Sequence, residues 1–167
     1  MFQHYFVRDR CEPEVAGFEF AGIDQAMPSP AFSAALADCE AVIICPSNPF
    51  VSVDPILALP GVTETLSQRN VPVVVVSNIV GGQALKGPAA KMMNELGMPM
   101  TALGVARHYL DKYDGLISGF VLDHADAELA EPIQALGLST IVTKTVMVTL
   151  QDKTDLGREV LAFADAS

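Results

Sequence analysis

Positive charge is scarce in this chain of 167 residues: ten Lys and Arg stand against twenty Asp and Glu, a formal net charge of −10 with a sequence pI near 4.5. No basic footprint exists for phosphate backbones or anionic lipid, which argues against nucleic-acid and membrane-surface partners. Long apolar runs are also missing. The densest, residues 71–76, stops at Ser77 and Asn78, far short of the roughly 18 residues a spanning helix needs. Residues 1–10 (MFQHYFVRDR) lack a basic stretch followed by an apolar one, so no secretory signal is evident. Cys11, Cys39 and Cys45 are odd in number and match neither a zinc-ligand nor a redox-pair spacing. They read as idle thiols in a reducing cytoplasm. What the chain does have is apolar material: 50% hydrophobic residues, a mean hydropathy of +0.35 and only 18% charged residues, against about 25% charged in average domains. That supports a core, and the surplus is expected to face a partner subunit or a further domain.

Short apolar runs alternate with helical patterns. Residues 41–45 (AVIIC), 72–76 (PVVVV), 115–122 (GLISGFVL) and 139–142 (STIV) are apolar or β-branched on consecutive positions, as in a parallel sheet buried on both faces. Residues 54–68, 88–96, 127–136 and 153–164 repeat apolar side chains every three or four positions and read as crossover helices. Gly97 and Gly137 fall where left-handed C-caps belong, and Asp126 and Asp152 where N-caps do. Four β/α units in one domain, residues 1–167, predict a doubly wound α/β fold: a mainly parallel sheet with helices on both faces, part of a Rossmann-like three-layer sandwich. Residues 2–7 (FQHYFV) alternate like a strand, and one beginning so near the first residue points to a cut chain. Residues 17–23 (GFEFAGI), among Pro13, Pro28 and Pro30, read as a short edge strand.

Ligands of open parallel sheets bind beyond the carboxyl ends of the strands, which directs attention to the residues after each apolar run. Pro46-Ser47-Asn48-Pro49 is a stiff turn whose hydroxyl and amide either recognise a phosphate or sugar oxygen or simply cap a turn. The stretch from Ser77 through Gly81, Gly82, Lys86 and Gly87 to Pro88 has the parts of an anion cradle, or is only a connection. Its spacing matches neither a P-loop nor the G-x-G-x-x-G fingerprint. Asp123, His124 and Asp126 could serve a metal or acid–base chemistry, or stabilise a helix start. Thr143-Lys144-Thr145 could touch a ligand or be a solvated strand end. Arg107-His108-Tyr109 follows a possible short strand over residues 101–105 and reads as a loop. No Ser-His-Asp order, no H-E-x-x-H and no cysteine with a base partner is present, which excludes a conventional hydrolytic triad.

Taken in order, residues 2–8 (FQHYFVR), Cys11-Glu12-Pro13, P-S-N-P at 46–49, Pro55-Ile56-Leu57, Pro60-Gly61 and the V-G-G…K-G-P of residues 80–88 resemble the 2-phospho-L-lactate transferases of coenzyme F-420 biosynthesis. The stretches G-V-A-R-H-Y (104–109) and T-K-T-V-M (143–147) are also similar to that family. The resemblance implies magnesium-assisted transfer of a phospholactyl, or phosphoenolpyruvyl, group. The donor is linked to guanosine diphosphate, the acceptor is the ribityl hydroxyl of the deazaflavin Fo, and GMP leaves. It makes Ser47, Asn48, Ser77, Gly81, Gly82, Lys86 and Gly87 donor or phosphate contacts, with Arg107, Thr143 and Thr145 as further candidates. No residue is singled out as catalytic. The likeness is to the carboxy-terminal half only, with the magnesium ligands expected in the amino-terminal half. This portion is therefore expected to be weak or inactive alone, to pair as a homo-oligomer or with a separate amino-terminal half, and to work in the cytoplasm. Asp54 is expected to set a negative charge near the phosphate turn, to be offset by magnesium or Lys86. The alternative is a non-catalytic nucleotide or nucleotide-sugar binding module of the same fold.

Overall fold

The computed structural model describes residues 1–85 and 87–166. Four strands, β1 (Val42–Ile44), β2 (Val73–Val76), β5 (Gly119–Asp123) and β6 (Ser139–Thr143), form a parallel sheet in the order β1-β2-β5-β6. Val74 pairs with Gly119 and Val121 with Ile141 in the ladder. Two short strands, β3 (Ile79–Val80) and β4 (Gln83–Ala84), make a separate antiparallel hairpin after β2.

Consecutive valines of β2 serve opposite faces, which is why no alternation marked them in the sequence. Val73 and Val75 join Phe120 and Leu122 under helices α4 (Ala89–Glu95), α5 (Ala102–Lys112) and α6 (Ala130–Gln134), in a core that includes Met92, Met93, Val105, Tyr109 and Ile133. Val74, Val76 and Val121 pack instead on Leu156, Val160 and Ala164 of α7 (Leu150–Asp165). Helices on both faces of a parallel sheet are the doubly wound α/β arrangement the runs predicted. Among the described residues no helix is long and apolar enough to cross a membrane, and the three cysteines are free thiols, with Cys45 exposed.

Several local expectations are corrected. The predicted strand at 2–7 is a π-helical turn over His4–Arg8, where Asp9 N–H reaches the His4 carbonyl at 2.8 Å. Phe2 and Phe6, four apart, stack on its side at 5.5 Å, so a helical spacing was read as alternation. Residues 17–23 pair with no strand; Phe18 lies on Phe50 at 5.3 Å instead. Residues 101–105 start α5, where the Thr101 hydroxyl caps Gly104 N–H, and Arg107, His108 and Tyr109 are helical. The single helix expected over 54–68 is two, α2 (Asp54–Leu57) and α3 (Val62–Arg69), separated at Pro60 and a left-handed Gly61. Ahead of them, α1 (Pro30–Asp38) starts at a Ser29 cap. Asp126 does not cap: Asp123 does, accepting Ala125 N–H at the head of a 3-10 run, His124–Leu129, that leads into α6. Asp152 is the third residue of α7 and completes a capping box with Thr149, the true cap.

Candidate functional site

A cleft of about 460 Å³ opens where β1, β2 and β6 end. Its lining is polar at Ser47, Asn48, Ser77, Asn78 and Thr145 and apolar at Val80, Leu85, Val146, Met147 and Val148. The turn after β1, the turn after β2 and the exit of β6 are far apart in sequence. Parallel pairing brings their carboxyl ends to one edge.

Each polar residue has a different degree of freedom. Asn48 is committed: its Oδ1 accepts the Phe50 and Val51 amides at 3.0 and 3.4 Å, capping the π-helical turn Pro49–Val53, and its Nδ2 points to Met92 Sδ at 3.3 Å. Ser77, 1% exposed, folds back on its own turn, donating to the Ile79 carbonyl at 2.8 Å and accepting the Ile79 amide. Thr145 gives both its amide and its hydroxyl to Asp123. Among the described residues the Ser47 hydroxyl has no hydrogen-bond partner, so it is available to a ligand.

Gly81, Gly82 and Gly87 are not among the residues that line the cleft. Gly81 (φ 57°) and Gly82 (φ 74°) are the two-residue loop between β3 and β4, positive at both positions as a type I′ hairpin requires. The Gly81 amide is taken by Asp126 Oδ2 at 2.9 Å. Gly87 is an exposed left-handed residue before Pro88, which caps α4. Lys86 lies outside the described residues. Thr143 donates to Glu159 of α7, and Arg107 is exposed on α5; neither lines the cleft.

The acidic residues near this edge are already engaged. Burial pushes the Asp123 carboxyl up, but the Ala125, Thr145 and Val146 amides and the Thr145 hydroxyl outweigh it and hold it below the ordinary value. Burial also pushes Asp126 up, helped by Glu128 and Asp123, and the Gly81 amide only partly opposes this. Among the described residues no group of three His, Cys, Asp or Glu could hold a metal.

Sequence reasoning missed a buried cluster. Asp54, 2% exposed, accepts from Lys112 Nζ at 2.5 Å, Tyr113 Oη at 3.1 Å and His108 Nε2, which is 3.1 Å from both carboxylate oxygens. Its charge is neutralised inside the fold rather than left beside a phosphate turn, which corrects that expectation. The signal was His108 and Lys112 four apart on one helix face, hidden while residues 101–109 read as strand and loop.

The cleft lies at the carboxyl edge of a parallel sheet in a doubly wound α/β fold, the place where such sheets take small ligands. The family described as 2-phospho-L-lactate transferase CofD matches residues 1–163. A phosphoenolpyruvate transferase of Streptomyces griseus subsp. griseus is 34% identical over 98% of this chain and 51% of its own length. One from Streptomyces avermitilis is 37% identical over 98% of this chain and 50% of its own length. A 2-phospho-L-lactate transferase of Methanosarcina barkeri is 34% identical, with shares of 98% and 51%. The chain belongs to the 2-phospho-L-lactate transferase CofD family, and it spans about half the length of the curated relatives it matches.

Proposed function

We propose that this chain contributes the cleft of a group transferase of coenzyme F-420 biosynthesis. A phospholactyl or phosphoenolpyruvyl group moves from a guanosine diphosphate-linked donor to the terminal ribityl hydroxyl of the deazaflavin Fo. The acceptor oxygen bonds to phosphorus, the bond to the departing GMP breaks, and the hydroxyl proton is released. The observation that carries this reading is the cleft of mixed lining at the carboxyl edge of the sheet. Its apolar residues, with Val80, Met147 and Val148, suit a planar ring, and its polar residues suit a polyol or phosphate.

The roles of this chain's residues follow from their freedom. Ser47 donates its hydroxyl to a ligand oxygen. Asn48 and Ser77, engaged with backbone, keep the two turns rigid so that the wall is in place before the ligand arrives. Magnesium belongs to the proposed reaction as charge neutralisation for phosphoryl transfer. Among the described residues no group of three His, Cys, Asp or Glu could hold it without further ligands.

Titration calorimetry with Fo and with GDP, each with and without magnesium, tests the proposal. Micromolar binding of Fo supports it, and Ser47→Ala should weaken the bound ligand by about 1 kcal/mol, the worth of one hydrogen bond. Binding of a nucleotide sugar without affinity for Fo would make the chain a non-catalytic binding module instead.

A further inference from the structure

Two aspartates at the carboxyl end of β5 hold the walls of the cleft without lining it. Asp123 Oδ2 accepts the amide and hydroxyl of Thr145 at 2.8 and 3.0 Å, anchoring the exit from β6 that supplies Val146, Met147 and Val148. Asp126, 3% exposed, accepts the Gly81 amide at 2.9 Å across 45 residues of sequence. Gly81 opens the turn of the β3–β4 hairpin, and Val80 and Leu85, which flank that hairpin's loop and second strand, line the same cleft.

A hairpin with two residue pairs has little stability of its own, so its place depends on what it is tied to. Ile79, fully buried in the main core, ties one end. Asp126 ties the turn. The helical run is interrupted at Asp126 (φ −116°, ψ 20°), between the 3-10 residues on either side.

The geometry points to Asp126 as a positioning residue: by holding the Gly81 amide it keeps the hairpin, with the cleft-lining Val80 and Leu85, in place, and so fixes the shape of the ligand site. This rests on the cleft being the ligand site of the proposed function. Asp126 touches no ligand and donates no proton in this role. What it supplies is an acceptor oxygen, and asparagine carries one too.

The test compares wild type, Asp126→Asn and Asp126→Ala in the full chain, reading amide exchange over residues 79–85 and calorimetric affinity for GDP and Fo. In Asp126→Ala, exchange at the hairpin should quicken while the β2 and β5 amides stay protected, and affinity should fall about tenfold, as expected for one lost bond to a charged acceptor. Asp126→Asn should restore both to near wild type. Unchanged hairpin exchange in Asp126→Ala overturns the clasp, and altered exchange with unchanged affinity overturns its bearing on the ligand. Loss of affinity in Asp126→Asn with the hairpin still protected shows that the negative charge itself serves the ligand, and also overturns the proposal. Wild type that binds neither probe removes the cleft reading, and this role with it, even where exchange shows the clasp intact.

Discussion

Asp54 and Asp126 are both buried carboxylates, and their surroundings treat them oppositely. Burial pushes Asp54 up, yet hydrogen bonds from His108 and Lys112 and the nearby positive charge outweigh it, leaving Asp54 below its ordinary 3.8. Among the described residues no cation offsets the burial of Asp126, and it lies above. A depressed folded-state value means that Asp54 adds stability that is complete above the unfolded value and is lost as pH falls through the folded one. Asp54→Asn should therefore lower the urea stability by about 1–3 kcal/mol at about pH 6, the Lys112 end of the pair being half in solvent. That gap should close as pH falls below the ordinary 3.8 and through the depressed folded-state value. A gap that does not change with pH would mean that the ion pairing contributes nothing and only packing was lost. Tyr109 and Tyr113 feel the same carboxylate: burial first, then Asp54, pushes both phenols well above the ordinary tyrosine range.

At the scale of elements, glycines show how closely these helices are packed. Gly104 sits in the first turn of α5, where a Cβ would overlap the Pro99 carbonyl oxygen, a backbone atom that cannot step aside. Gly157 lies inside α7 with no atom within 4 Å of the same added carbon and no positive φ. Gly157→Ala should raise stability by about 0.5–1 kcal/mol, through helix propensity alone. Gly104→Ala should lower it by about 2 kcal/mol or more, as overpacking does. Thermal melts of the two single variants check both signs; equal effects would contradict the close approach of α5 to the loop before it. The four sheet strands were legible because a β-branched run too short for a helix buries every side chain only inside a sheet covered on both faces. Helix limits were less so. Pro60-Gly61 was passed over as part of one helix, and Thr101, which caps α5, was taken into a strand because Ala102, Leu103 and Val105 are apolar in either element.

Across the whole molecule the sheet is covered unequally. The face under α4, α5 and α6 carries the large core, whereas the other is closed in the main by α7 through Leu156, Val160 and Ala164. Apolar side chains remain exposed around that thinner layer: Val148 and Leu150 are each 79% exposed and Leu161 57%. A groove of about 240 Å³ runs between α7 and the β1 end, past Ile43, Cys45 and Met147. The surplus of apolar residues over charge in the composition is in part this surface. Native-state hydrogen exchange should show α7 opening below the global unfolding free energy, while β2, β5 and α5 exchange only with global unfolding. Equal protection of α7 and α5 would show that the two faces contribute alike.

Local chemistry by itself determined the α/β class, the four parallel strands and the positions of the turns at Ser47 and Ser77, since burial on two faces and turn-forming residues act over a few positions. Only the tertiary structure decided which polar groups stay free. A carboxylate is available to a ligand when no backbone amide or side-chain donor has claimed it, and on these aspartates some of the claims come from residues tens of positions away: Gly81 on Asp126, Thr145 on Asp123, Lys112 on Asp54. No short window of sequence contains both partners, so the sequence leaves the glycine pair open between cradle and connection and the aspartates between ligand chemistry and helix start, and only the fold shows a hairpin loop at Gly81-Gly82 and carboxylates that hold Gly81 and Thr145.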